Sequence, residues 1–305
     1  MVLDLSAWQP YLLAMVFVAL GLMGAGFFWR DNRAHLIRAA GWTLFAFYWP
    51  FQAPEFFWPT KTSEPDPING WFTLLGPIFL LWVAWHEVKS YRWKEDPQAL
   101  RWFTGASFVA ALTYFIIDSS AIVQEKLIYY TAVQSGWMLR WLFGVENTII
   151  QDAAGESHIY LNNGTEYAVT VILACTAIQS IMIFVGAIAC LRAARVRKWK
   201  AYAITVPTIY VLNLFRNAGI VYGYKILNWD PLGTGSFEWM HSYVGKIGSL
   251  AAMVVIALAV FSMLPELHSN ILDLFDLRKR RKAGFFNRPP PPPTKVDAAP
   301  APAEG

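Results

Sequence analysis

The stretch Ala174-Cys175-Thr176-Ala177-Ile178-Gln179-Ser180 places a thiol among polar neighbours, inside an apolar run that otherwise has the character of a membrane span. A free cysteine is usually a small buried apolar residue, because a thiol reacts only where its surroundings favour the thiolate. Gln179 follows Cys175 by one helical turn, so the two would share a helix face. Whether Cys175 packs or reacts therefore depends on which other polar groups the fold brings to it.

The composition predicts a polytopic membrane protein. Of the 305 residues, 56% are hydrophobic and 15% are charged, whereas about a quarter of the residues of a soluble domain are charged. The mean hydropathy is +0.35. Most Lys and Arg residues fall in short loops beside apolar runs, which favours a role in membrane orientation over nucleic-acid binding. We therefore expect no nucleic-acid partner.

Apolar runs long enough to cross a hydrocarbon core of about 30 Å predict an all-α fold with about seven transmembrane helices. The predicted spans are 8–28, 37–52, 70–85, 102–117, 167–191, 201–227 and 241–264. The amphipathic stretch 118–166 is expected to hold a helix on the membrane surface, with an eighth span as the alternative. Within it, the short segments 148–151 and 157–161 flank a glycine-containing turn, a pattern typical of a β-hairpin.

The distribution of basic residues predicts the orientation of the chain. The loops after spans one, three and five and the C-terminal tail carry most of the 25 Lys and Arg residues, which places the N-terminus outside and the C-terminus in the cytoplasm. We expect a transmembrane domain over residues 1–277, with an extracellular cap at 118–166 and a core at 167–264. The basic, proline-rich tail at 278–305 is expected to be disordered.

Arg216 is the most informative charge, because an arginine within a span costs at least about 2.5 kcal/mol unless it faces protein or water. Asn213 and Asn217 make the same helix face polar. A salt bridge or a contact with backbone carbonyls would account for Arg216 without any function. Together with Gln179, the two asparagines are nevertheless candidates for binding a substrate.

Two of the five histidines fall on the predicted outer side. His241 lies at the mouth of the last span and could share a depth with Cys175, whereas His158 lies in the predicted hairpin and is expected to be exposed. Among the acids, only Asp118 falls close to a predicted span interior. His-Glu-x-x-His, Gly-x-Ser-x-Gly and Walker motifs are absent from the sequence, so we expect neither a metal site nor a cofactor.

The motifs Ala174-Cys175-Thr176 and Asn213-x-x-Arg216, followed by His241 with Gly245, resemble the exosortase/archaeosortase family, most closely its archaeal branch. The resemblance covers about residues 147–248, and Ala177 stands where bacterial members usually have glycine. The family implies a membrane thiol transpeptidase with a catalytic cysteine, arginine and histidine. Carried over residue by residue, these are Cys175, Arg216 and His241.

The resemblance also implies substrates, a mechanism and a location. Substrates would be secreted proteins that end in a Pro-Gly-Phe-type signal, a transmembrane helix and a basic tail. Cys175 would form a thioester with such a protein and pass it to the amine of a membrane lipid. Arg216 would favour the thiolate or stabilise the oxyanion, and His241 would protonate the leaving amine. The enzyme would act at the outer face of the plasma membrane.

Two other classes of function fit the same residues. In a transporter or channel, Arg216, Lys225 and Lys246 would line an anion path, and Cys175 would only pack. Outside such a path, Lys225 and Lys246 are expected to snorkel toward the outer headgroups. A structural anchor for surface glycoproteins would need none of these side chains.

Overall fold

A computed structural model of the chain describes residues 8–58, 66–162, 164 and 166–280. The helices are α1 (Gln9–Phe28), α2 (Ala34–Tyr48), α3 (Ala53–Phe57), α4 (Pro67–Trp93), α5 (Gln98–Asp118), α6 (Ala121–Phe143), α7 (Ile178–Ala189), α8 (Arg195–Val221), α9 (Ser236–Glu238), α10 (Lys246–Met263) and α11 (Pro265–Asp276). The strands are β1 (Asn147–Gln151), β2 (Ser157–Leu161) and β3 (Tyr167–Val171). The chain is thus a helical bundle with one small sheet.

The bundle crosses the membrane several times. Among the described residues, five helical segments are long and apolar enough to span: Gln9–Phe28, Ile68–Trp93, Gln98–Asp118, Arg195–Ile226 and Ser236–Met263. Two further predicted spans correspond to α2, with 15 residues, and α7, with 12 residues. At 1.5 Å per residue these helices reach only about 22 and 18 Å, short of a hydrocarbon core of about 30 Å.

The predicted fifth span, from residue 167 to residue 191, is wrong. Its first part is strand β3, which pairs with β2, and its second part is a 3-10 turn over Leu173–Thr176. Only the remainder, α7, is helical. Tyr167–Val171 is rich in aromatic and β-branched residues, which favour a strand, and it pairs with β2 as the edge strand of the sheet. Cys175 and Cys190 therefore do not lie on one helix, and both are free thiols.

The sheet is antiparallel, with strand order β1-β2-β3. Helix α6 covers it: Ile128, Ala132 and Leu139 are buried in one cluster with sheet residues and the end of α8. The opposite face of α6 exposes aromatic side chains, among them Trp137 and Trp141, which stack with their planes 2° apart. With 23 residues α6 is long enough to span, but it is not among the five segments that are both long and apolar enough.

A buried charge network joins α1, α2, α4 and α5. Arg38 donates through Nε to Glu87 Oε1 at 2.9 Å and through a terminal nitrogen to the Gly26 carbonyl at 3.0 Å. His35 Nδ1 lies 2.6 Å from Glu87 Oε2. Trp42 donates to Thr104 Oγ1 at 3.0 Å, and Thr104 donates in turn to Glu87. Every group in this network has a partner, which offsets the cost of burying charge.

Glu87 corrects one sequence expectation. Asp118 was expected to be the only acid near a span interior, but α4 extends to Trp93 and encloses Glu87, which is fully buried. The predicted third span ended at residue 85, because the next residues, His86, Glu87 and Lys89, are polar. Hydropathy alone cannot recognise a charge that is neutralised by a partner on another helix.

The C-terminal end of the described chain packs back on α4. After α11, a 3-10 turn over Leu277–Lys279 brings Arg280 to Ser90 Oγ at 2.8 Å and to Glu95. Arg280 is 1% exposed. The predicted boundary of the disordered tail, at residue 278, thus falls inside a packed turn, and the rest of that tail lies outside the described residues.

We predict that Glu87→Ala lowers the free energy of unfolding by about 3 kcal/mol, because Arg38 loses its buried carboxylate partner and keeps only the ion pair with the half-exposed Asp96. Thermal unfolding of the purified protein in detergent measures the loss. Arg92→Ala, at an exposed position of the same helix, should change the stability by less than about 0.5 kcal/mol. Arg38→Met combined with Glu87→Met should recover most of the loss, and a double variant as unstable as Glu87→Ala would contradict this account.

Candidate active site

Cys175 lies in a sharp turn between a strand and a helix. The chain leaves β3, forms the 3-10 turn with Cys175 in it, passes through Ala177 in the left-handed conformation (φ 60°, ψ 4°), and enters α7 at Ile178. Alanine rarely adopts this conformation, which costs an L-residue about 1–2 kcal/mol. The turn places Cys175 three residues before the first residue of α7, whose N-terminus favours a nearby negative charge.

Two asparagine side chains of α8 hold this turn in place. Asn213 Nδ2 donates to the Cys175 carbonyl oxygen at 2.7 Å, and Asn217 Nδ2 donates to the same oxygen at 3.0 Å. Asn217 also contacts Ser135 Oγ of α6 at 3.3 Å. Both lone pairs of the carbonyl are therefore used. The amides that the sequence suggested for substrate binding position the cysteine in this structure.

Arg216 lies between these two asparagines in sequence and faces the start of α10. Its Nε donates to the Gly245 carbonyl oxygen at 3.3 Å, and one terminal nitrogen lies 3.5 Å from Asn217 Oδ1. Within the described part of the chain, no carboxylate lies within 4.0 Å of the guanidinium. Among the described residues no acid pairs with this charge, and Arg216 interacts electrostatically with Cys175.

His241 lies in a π-helical turn, Trp239–Gly245, that ends at the carbonyl acceptor of Arg216. Its ring stacks on Phe237, with centroids 5.3 Å apart and planes 6° apart. Single π-helical turns occur frequently at functional sites, because they turn side chains away from the ordinary helical positions. Arg216 lies on α8, and both the turn of Cys175 and the π-helical turn of His241 contact this helix.

A cleft of about 520 Å³ opens beside these segments, between α8 and α10. Arg216, Asn213 and Gln179 contribute polar groups to its lining. Its α10 wall is made of small or apolar residues: Gly245, Gly248, Ser249, Ala252, Met253 and Ile256. An intramembrane arginine needs such access to water or to a polar ligand.

Gln179 does not share a helix face with Cys175, because the helix begins only after Ala177. Its Nε2 donates instead to the Tyr114 hydroxyl at 3.1 Å. Gln179 and Asn213 line the cleft whereas Asn217 does not, so substrate binding stays a prediction that geometry favours only for the first two.

His158 is not an ordinary exposed residue. Its Nδ1 lies 2.9 Å from Thr170 Oγ1, its Nε2 lies 3.2 Å from Asp152 Oδ2, and its side chain is 14% exposed. This hydrogen bond from His158 holds the pKa of the exposed Asp152 carboxyl below its usual value. Ligand atoms of Asp152, Glu156 and His158 lie within 4.8 Å of one another and could hold a metal ion. Asp152 also accepts from two backbone N–H groups of its turn, so its oxygens already have a structural use.

Lys246 forms an ion pair that the sequence did not indicate. Its Nζ lies 2.8 Å from Asp66 Oδ2, which ties the start of α4 to the residue after Gly245. Asp66 is the N-cap of α4 and accepts from the Asn69 backbone N–H at 3.2 Å. Burial alone would raise the pKa of Asp66, but the hydrogen bonds from Lys246 and Asn69 outweigh it, and the pKa lies below its ordinary value. The expectation that Lys246 snorkels toward the outer headgroups stays a prediction, with Asp66 as the partner of its charge.

The chain is similar to known proteins over most of its length. The family model described as "Transmembrane exosortase (Exosortase_EpsH)" matches residues 8–258. Archaeosortase A of Haloferax volcanii is 27% identical over 218 residues, which cover 68% of this chain and 70% of the relative. Archaeosortase A of Natronomonas pharaonis is 25% identical over 219 residues, 69% of this chain and 66% of the relative. No solved structure matches the chain.

We predict that Ala177→Gly raises the free energy of unfolding by about 1 kcal/mol, because glycine adopts the left-handed conformation without steric cost. Thermal unfolding in detergent should then shift upward by about 2 °C. The matched control is Ala174→Gly in the same turn, where φ is not positive and glycine should lower the stability. Equal shifts for the two variants would show that Ala177 is not strained.

We predict a pH-dependent contribution from the Asp66–Lys246 pair. The paired carboxylate has a lowered pKa, so its contribution is fully present above the ordinary pKa of about 3.9 and is lost as pH falls through the lower value of the folded state. Asp66→Asn removes the charge but keeps an N-cap residue. Its unfolding temperature should lie about 2 °C below that of the wild type at pH 7, and the two should converge below about pH 4. A constant gap from pH 7 to pH 3 would argue against the pair.

Proposed function

The chain belongs to the transmembrane exosortase family, and from this premise we propose that it is a cysteine transpeptidase with Cys175 as nucleophile. Its substrates would be secreted proteins with a C-terminal Pro-Gly-Phe-type signal, a transmembrane helix and a basic tail. It would cleave the signal through a thioester and transfer the new C-terminus to the amine of a membrane lipid. The multi-pass fold suits such a reaction, because substrate helix and lipid acceptor both lie in the bilayer.

The observation that carries the proposal is the position of Cys175 next to Arg216. Asn213 and Asn217, on either side of Arg216, both bind the carbonyl of Cys175. The guanidinium of Arg216 lines the cleft and has no carboxylate within 4.0 Å among the described residues. A nearby cation and a helix N-terminus both favour a thiolate, and they act against the burial of the sulfur, which favours the neutral thiol.

In the first half of the reaction, the sulfur of Cys175 attacks the carbonyl carbon of the scissile peptide, and its proton passes to His241. The oxygen of the tetrahedral intermediate becomes negative, and the permanently charged fork of Arg216 stabilises it. The C–N bond then breaks, His241 returns the proton to the leaving amine, and the acyl group remains on sulfur as a thioester.

In the second half, the amine of a lipid headgroup attacks the thioester carbon. His241 accepts the proton of the attacking amine, the C–S bond breaks, and His241 passes the proton to the released sulfur of Cys175, which restores the thiol. The product is an amide that joins the protein to the lipid. Arg216 serves both halves, because each passes through an oxyanion at the same position.

The shape of the cleft supports a substrate with an apolar segment. On the α10 side the cleft runs from Gly245, the last residue before this helix, to Ile256, which is about 16 Å along the helix axis. Its far end is apolar, with Ile209, Leu212 and Ile256. If the signal bound beside Arg216, the residues after the signal would lie in this apolar part. An apolar surface suits the start of a transmembrane helix. With the N-terminus of the chain outside, as the basic loops predict, the cleft lies toward the outer face.

The transporter alternative needs three cations along one path, and one of them, Lys246, is paired with a carboxylate. Lys246 is held by Asp66 at 2.8 Å, and Lys225 lies over the Tyr224 ring at 4.6 Å. Among these residues only Arg216 lines the cleft. A single arginine beside a cysteine fits acyl transfer better than a continuous anion path.

The proposal is tested with a secreted reporter that carries the tripartite C-terminal signal, produced together with the full-length enzyme. Cys175→Ala should leave the reporter uncleaved, with a rate loss of at least about 10³-fold. Arg216→Lys and His241→Gln should each slow cleavage by about 10²-fold or more. The matched control is Cys190→Ala, which removes the other free thiol and should cleave at the wild-type rate. Immunoblotting measures the precursor and the product.

Unchanged processing in Cys175→Ala would refute the enzyme proposal and return the transporter to consideration. Loss of processing in both cysteine variants would point to misfolding rather than chemistry, which size-exclusion chromatography of each variant detects. Hydroxylamine cleaves thioesters, so it should release the acyl group from the wild-type acyl-enzyme. Cys175→Ala should form no such acyl-enzyme.

A further inference from the structure

A second cavity lies at the end of α7 remote from Cys175. It has a volume of about 230 Å³, and three arginines from three separate segments line it: Arg30 after α1, Arg101 near the start of α5, and Arg192 after α7. The reaction proposed above uses none of them. Like charges repel when they converge on one cavity, so this arrangement calls for an anion.

The acids nearby do not neutralise these charges. Asp96 lies 3.4 Å from Arg101, but it also accepts from Arg38 at 3.2 Å, so its single charge is shared. Within the described part of the chain, neither Arg30 nor Arg192 has a carboxylate within 4.0 Å. Arg101 is held in place by a 2.9 Å hydrogen bond to the Phe27 carbonyl. The cavity is thus positively charged, and one of its arginines is already oriented.

Besides the arginines, the cavity is lined by Phe27, Phe28, Trp102, Cys190 and one uncharged polar residue, Gln98. This part of the wall is therefore mostly apolar, and at Phe28 it reaches the outside of the bundle. Phe28 is 72% exposed, and the centroids of the Phe28 and Phe27 rings lie 5.1 Å apart. Trp102 is buried and donates to the Ala187 carbonyl at 2.9 Å, which fixes α5 against α7. A ligand with an anionic head and an apolar chain would match both parts of the wall.

Membrane orientation explains why these loops are basic, but it does not explain why these three arginines share a cavity. Arg33 and Arg195 lie three residues after Arg30 and Arg192, before α2 and at the start of α8, and do not line it. We propose that the cavity binds the phosphate of an anionic phospholipid, with the acyl chains along Phe28. Arginine forks match phosphate oxygens in pairs, and basic pockets between transmembrane helices are typical sites for anionic headgroups.

The test uses the purified full-length protein in detergent and native mass spectrometry with added phosphatidylglycerol. Arg30→Gln combined with Arg192→Gln should weaken binding of the first lipid by at least about tenfold, which is about 1.4 kcal/mol. The matched control, Arg33→Gln combined with Arg195→Gln, removes the same charge from neighbouring positions of the chain and should change binding by less than about twofold. Phosphatidylcholine with the same acyl chains should bind the wild type at least about tenfold more weakly.

Three results would overturn the proposal. Equal losses in the two double variants would show that general surface charge, and not the cavity, attracts the lipid. No loss in the first double variant would show that the lipid binds elsewhere. If millimolar inorganic phosphate raised the unfolding temperature of the wild type as much as phosphatidylglycerol does, the ligand would be the free ion and not a lipid.

Discussion

Hydrocarbon offers no hydrogen bonds, so each polar group that the bundle carries into the membrane needs a partner within the protein. The network around Glu87 meets this constraint with charges from separate helices, and Arg280 meets it with Ser90 and Glu95. These contacts join elements that are distant in sequence. They fix the relative positions of α1, α2, α4 and α5, against which α7 and the cysteine turn are placed.

The same constraint shapes the candidate site, where backbone carbonyls serve as the anchors. The carbonyl of Cys175 accepts from Asn213 and Asn217, and the carbonyl of Gly245 accepts from Arg216. Through these contacts α8 connects the turn after the sheet with the π-helical turn before α10. Cys175 and His241 lie in irregular turns, and Arg216 lines the cleft between α8 and α10.

Arginines lie at both ends of this bundle. Whether a carboxylate pairs with an arginine distinguishes the structural arginines from those to which we assign a function. Arg38 and Arg280 are buried and bound to carboxylates, which identifies them as parts of the framework. Arg216 lines a cleft without such a partner, and Arg30 and Arg192 line a second cavity. A charge that the protein does not neutralise is available to a ligand, and both proposals rest on this difference.

The sequence by itself determined the membrane class, because apolar length and composition are local properties that no distant contact changes. It also singled out Cys175, Arg216 and His241, whose ordered motifs carry the family resemblance; their catalytic roles remain predictions. Tertiary structure decided what local pattern could not. Tyr167–Val171 became a strand because β2 pairs with it, Asn217 became a support for Cys175 because α8 packs beside the turn, and Glu87 could be buried because Arg38 lies opposite it. In each case the deciding partner is distant in sequence, so hydropathy and helix periodicity give no sign of it.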